Sequence, residues 1–130
     1  MTCILNPNIV RRKLMNIISD MKQHPEGFVM NPGRAFTRNR RLPFVDTILL
    51  TMSMQTSSLD GEIANFWHIR HPENNYSSNP LYCPTKSAFV HQRSKLTDKT
   101  FPAILYRFNQ AVPVSTKLKG YHCIAIDGTD

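Results

Sequence analysis

The chain has 130 residues, enough for roughly one domain. Its hydrophobic fraction of 41% argues against wholesale disorder, and no run approaches the roughly 18 apolar residues of a membrane span. The net charge is +7, and three distant cysteines (Cys3, Cys83 and Cys123) with no C-x-x-C pair argue against a disulfide framework or a zinc site.

The N-terminus lacks the charged-then-apolar-then-small pattern of a secretory signal, so the expected address is the cytoplasm. Asn6-Pro7 opens the first predicted helix, with Asn as N-cap and Pro at the first helical position. Val10, Leu14, Ile17, Ile18 and Met21 fall on one face, and Arg11, Arg12 and Lys13 lie mostly off it. That apolar face is narrow and has no aromatics, which favours a core helix over a membrane-surface element. His24-Pro25 and Gly27 end the helix. A turn at Asn31-Pro32-Gly33 then leads into a basic loop carrying Arg34, Arg38, Arg40 and Arg41. Such a loop suits either the phosphates of a DNA backbone or a plain surface linker.

Pro43 begins a second helix, with Phe44, Val45, Ile48, Leu49 and Met52 as a wide apolar stripe. Ser58 is the N-cap of a third helix, where Asp60 and Glu62 suit the first-turn dipole. Leu59, Ile63, Phe66 and Trp67 form its apolar face, Trp67 reading as a core anchor rather than a base-stacking platform. That helix ends at His71-Pro72, and a loop rich in Asn, Ser and Pro runs to Pro84. Thr85 caps a fourth helix over residues 86–96, with Lys86, Arg93 and Lys95 on it and Phe89, Val90 and Leu96 as its apolar contacts. A polar turn follows, with Thr100 as cap of a fifth helix whose stripe is Phe101, Ile104, Leu105 and Phe108. Two helices joined by a short turn, the first one basic, fit a helix-turn-helix or an ordinary helical hairpin. Residues 109–119 read as a polar connector.

The charges are not spread evenly. Eight basic residues face two acidic ones over residues 1–41, one faces four over 42–85, and seven face one over 86–119. Two basic blocks around an acidic middle suggest a phosphate-facing surface, against the alternative of a merely solvated basic one.

The last apolar run, Cys123 to Ile126, lies between Gly120 and Asp127-Gly128 and reads as a buried strand entering a tight turn. Asp-Gly is also a strong hairpin signal, but only Thr129 and Asp130 follow to make a returning strand. The expected fold is therefore mainly α: a helical, basic region over residues 1–115, then one C-terminal strand over 116–130.

The run from Ser87 to Leu96, the segment Phe101 to Asn109, and Lys119-Gly120-Tyr121-His122-Cys123-Ile124-Ala125-Ile126-Asp127-Gly128-Thr129 together resemble bacterial insertion-sequence transposases of the DDE class. Arg41-Leu42-Pro43-Phe44 fits the amino-terminal part of that family, so the likeness spans about Arg40 to Asp130. It implies a helical DNA-binding region ahead of an RNase H-like α/β catalytic domain. It also implies that Asp127 is one of three carboxylates holding two divalent metal ions, Mg²⁺ or Mn²⁺. Mg²⁺ prefers carboxylate oxygens, and a metal pair activates the nucleophile and neutralises the leaving oxygen. The family's second Asp and its Glu have no counterpart here, because Asp130 is too near Asp127 to stand for either. The resemblance thus implies the amino-terminal fragment of a longer transposase, cut after its first catalytic residue.

The expected partner is DNA at insertion-element ends, with self-association as a further option and no membrane. From the fourth helix, Arg93 and Lys95 are the DNA-contact candidates, with Lys86 behind them; from charge alone, Arg11, Arg12, Arg34, Arg38, Arg40 and Arg41 join them. The competing readings are a stand-alone DNA-binding module or transposition repressor without enzymatic activity, and a structural helical protein with no nucleic-acid partner. One carboxylate holds Mg²⁺ poorly, so the chain alone is expected to leave supercoiled DNA intact with Mg²⁺ or Mn²⁺. A nicking assay checks this: cleavage that Asp127→Ala abolishes would contradict it.

Overall fold

The computed structural model describes residues 6–38, 40–55, 57–72 and 83–112, and the backbone of 117–118 and 121–122. Five helices make up most of the described chain: α1 (Pro7–Gln23), α2 (Phe44–Ser53), α3 (Leu59–Arg70), α4 (Lys86–Arg93) and α5 (Thr100–Ala111). The predicted starts of α1, α3 and α4 hold because each has a side-chain cap. Asn6 accepts from the Asn8 N–H at 2.9 Å, Ser58 from the Gly61 N–H at 3.3 Å, and Thr85 from the Ala88 N–H at 3.2 Å. The Glu62 carboxylate adds to this by accepting from the Gln55 and Ser57 N–H groups at 2.9 and 3.1 Å.

Two apolar cores result, with α2 between them. In the first, Ile18 and Met21 of α1 meet Val29, then Phe44 and Ile48 of α2 and Ile104 of α5. In the second, Leu42 and Leu50 meet Ile63 of α3 and Phe89 of α4. Helix α2 is short but buries Phe44, Asp46, Thr47, Ile48 and Leu50. Its polar members are satisfied: the Thr47 hydroxyl donates to the Pro43 carbonyl at 2.9 Å, and Asp46 accepts from Arg70 Nε at 2.9 Å. Met52, expected in the stripe, is exposed, since the second flank is filled from Leu50 and Leu42 instead.

The turn after α1 holds the halves of the chain together. Gly27 takes φ +86, which L side chains rarely adopt, and turns the chain back. Residues 28–30 then pair with residues 95–97. Val29 bridges Leu96 in antiparallel sense, Met30 N–H donates to the Lys95 carbonyl at 2.8 Å, and Thr97 N–H to the Phe28 carbonyl at 3.0 Å. The hydroxyls of Thr97 and Thr100 donate to the Gly27 and Phe28 carbonyls at 2.6 and 2.7 Å. Thr100 therefore clamps this junction rather than capping α5, whose N-cap is Lys99.

The same junction corrects the expected helical hairpin. Helix α4 stops at Arg93 and packs chiefly on α2 and α3, while α5 packs on α1, joined to it by an Asp20–Arg107 pair at 2.8 Å. The connection between α4 and α5 is spent on residues 28–30, so the two helices do not fold as a helix-turn-helix pair. Leu105 and Val90 are exposed, and Trp67, half-buried, is in neither core among the described residues and lies against His71 with ring centroids 4.1 Å apart and planes tilted by 38°.

The predicted polar connector also differs. Lys117–Leu118 (β1) pairs antiparallel with Tyr121–His122 (β2) in a minimal ladder. The expected strand from Cys123 to Ile126, and Asp127 with it, lie outside the described residues. None of the helices among the described residues is long and apolar enough to cross a membrane.

Ile48 sits wholly inside the first core, so Ile48→Ala is expected to cost about 2–5 kcal/mol in urea unfolding. Met52→Ala, on the exposed flank, is expected to stay within about 0.5 kcal/mol of the parent.

Candidate nucleic-acid interface

The clamp between residues 28–30 and 95–97 has an electrostatic result. It lays the basic turn over residues 31–38 against the end of α4. Two adjoining cavities form there, sharing Arg40 and Gln92. One, of about 370 Å³, is lined by Gly33, Arg34, Phe36, Thr37, Arg38, Arg40, Gln92 and Lys95. The other, of about 410 Å³, is lined by Arg40, Arg41, Leu42, His91, Gln92 and the start of α4 at Pro84, Thr85 and Ala88. Helix α4 has no acidic residue in its first turn, and residues at its positive end line this second cavity. Among the described residues, no carboxylate lines either cavity and none pairs with Arg34, Arg38, Arg40 or Arg41.

The floor is built by Gln92, whose side chain is buried. Its Nε2 donates to the Leu42 carbonyl at 2.6 Å, and its Oε1 accepts from the Lys95 ammonium. Lys95 also lies 5.6 Å from the centre of the Phe36 ring. Phe36 is held at φ +59, an uncommon conformation for an aromatic residue, and packs edge-on against Phe44 of the core at 5.5 Å. Strained backbone of this kind concentrates at ligand sites. Partial burial, and after it the nearby Arg40 guanidinium, lower the Lys95 ammonium below the ordinary lysine range.

The candidates from the sequence thus divide. Lys95 joins Arg34, Arg38, Arg40 and Arg41 at one groove, although it is far from them in sequence. Arg93 instead lies against the Phe89 ring, its guanidinium carbon 5.3 Å from the centroid. Lys86 pairs with Asp60 at 3.0 Å, an exposed contact of little energetic weight. Arg11 and Arg12 are exposed on α1 and line neither cavity. Asp127, the candidate catalytic and metal-ligating residue, lies outside the described residues. Among the described residues, no group of three or more His, Cys, Asp or Glu side chains could hold a metal ion.

Sequence reasoning missed Gln92, His91 and Phe36. Gln92 carried one usable signal, its position three residues after the buried Phe89 on the same helical face. Burial, only partly offset by Arg41, raises the Cys83 thiol above the usual cysteine range. No family model, curated protein or solved structure matches this chain.

Because the Lys95 pKa is lower in the folded protein than in the unfolded chain, the unfolded chain binds more protons in the alkaline window between the two values. Stability contributed by this group therefore rises with pH across that window. Urea unfolding at stepped alkaline pH is expected to show a rising component in the parent that is missing in Lys95→Met.

Proposed function

We propose that this chain binds DNA through the groove between the basic turn and α4, as the DNA-binding region of a DDE-class transposase. The observation that carries the reading is the convergence of Arg34, Arg38, Arg40, Arg41 and Lys95 on two adjoining cavities that, among the described residues, no carboxylate lines. A groove lined by one sign of charge concentrates a polyanion, and guanidinium groups match phosphate geometry. Contacts of this kind position a protein on the backbone without reading sequence. The transposase part of the reading rests on the motifs between Arg40 and Asp130, and within it Asp127 is the metal-ligating residue for Mg²⁺ or Mn²⁺.

Two features support a grip by turn and helix end rather than by a recognition helix in a groove of the duplex. Helix α4 has only 8 residues, and its Lys86 and Arg93 are turned to Asp60 and the Phe89 ring, while Lys95 at the cavity stands just past its end. The proposed interface is therefore dominated by phosphate contacts, and its affinity falls steeply with salt.

Fluorescence anisotropy with a labelled duplex tests this. The logarithm of the binding constant is expected to fall linearly with that of salt concentration. The double variant Arg38→Gln/Arg40→Gln is expected to lose about tenfold or more in affinity on any sequence and to flatten the salt slope by about two. Arg11→Gln/Arg12→Gln, away from the groove, is expected to change binding less. No binding at low salt would overturn the reading.

A further inference from the structure

We propose that the cavity between residues 33–38 and the end of α4 is a seat for one phosphate group, with Lys95 at its centre and Gln92 as the residue that positions it. The seat rests on the DNA reading only for the identity of its occupant, a backbone phosphodiester.

Four cations line this cavity: Arg34, Arg38, Arg40 and Lys95. Its volume of about 370 Å³ exceeds the roughly 30 Å³ share of one liquid water, so an anion enters with part of its hydration. Three of the cations are exposed arginines on a surface turn. Lys95 differs: it is partly buried and anchored from below.

The anchor is chemically informative. A carboxylate in place of Gln92 would hold the ammonium but offset its charge, and would lose the donor that now bonds the Leu42 carbonyl. An amide holds it and leaves the charge intact. Gln92 is 5% exposed, and its Nε2 bond to the Leu42 carbonyl fixes which end of the amide faces Lys95. The Phe36 ring, kept close by a strained backbone, offers its negative face to the same ammonium without neutralising it. Both neighbours orient a cation and leave it able to bind an anion. The lowered pKa of Lys95 fits such a seat, since burial and Arg40 both oppose its charge until an anion arrives.

The experiment uses the full chain and two probes, a short DNA duplex and inorganic pyrophosphate, followed by amide NMR shifts and by anisotropy. Lys95→Gln is expected to weaken duplex binding about tenfold and to reduce the salt slope by about one. Gln92→Glu keeps Lys95 but neutralises it, and is expected to match that loss. Lys22→Gln, on the exposed side of α1, serves as the surface control. Pyrophosphate is expected to shift the amides of Arg34, Thr37 and Lys95 in the parent and to leave them unmoved in Lys95→Gln.

The arms separate the two claims. Unchanged duplex affinity and salt slope in Lys95→Gln would overturn the seat and leave DNA binding standing. No duplex binding, with pyrophosphate still shifting those amides, would keep the seat and remove the DNA reading. Silence from both probes would remove both. Lys95→Gln alters a partly exposed side chain, so its spectrum outside the groove reports that the fold is intact if Gln92→Glu disturbs it.

Discussion

Helix α2 is buried along both flanks, and the rest of the described chain is arranged by that constraint. One flank, Phe44 and Ile48, belongs to the core with α1 and α5; the other, Leu50 with Leu42 before it, belongs to the core with α3 and α4. A helix in that position cannot turn about its axis without exposing one set or the other. The polar residues between the flanks must then find partners inside. Thr47 uses a backbone carbonyl in the turn before it, and Asp46 draws Arg70 across from the end of α3. Leu42 links this arrangement to the surface, because its carbonyl receives Gln92 and so sets the depth at which Lys95 stands.

The groove combines charges that differ in freedom. Arginines on a turn keep much of their hydration and are screened by salt within about 10 Å at 0.1 M. Lys95 has less water around it and less room to move. Its interaction with an anion is correspondingly less screened and more directional. The acidic middle of the sequence faces elsewhere: Asp46 and Asp60 are taken up by Arg70 and Lys86, and Glu62 by backbone N–H groups near the start of α3. Charge is sorted because these acids find partners away from the groove, while among the described residues the turn arginines pair with no carboxylate.

Much of the helical plan was legible because its signals are local. Asn6-Pro7, Ser58 and Thr85 mark helix starts through bonds to residues two or three positions away, and such bonds form in almost any tertiary setting. The errors came from long-range contacts. Leu96 reads as the last apolar residue of α4, but it pairs with Val29. Thr100 has the chemistry of a cap, but its hydroxyl is drawn to Phe28. The two basic blocks were plain in the sequence, yet nothing in it showed that Lys95 and Arg40 would meet while Arg93 would lie back on Phe89. The positive φ of Phe36 had no signal at all, since the residue type argues against it.

The antiparallel bridge between Val29 and Leu96 also has an entropic meaning. It closes a long loop that contains α2, α3 and α4. The second core is drawn from inside that loop, over residues 42–89. The first core needs segments from both sides of it, residues 18–48 with Ile104. Closing a longer loop costs more chain entropy before any contact repays it. The contacts of α2 with α1 and with α4 both stay within part of the chain, whereas α1 and α5 meet only across most of it, which makes their contact the costliest in chain entropy to close. Because the bridge also joins the basic turn to the end of α4, the groove depends on that long-range closure and is lost whenever the loop opens.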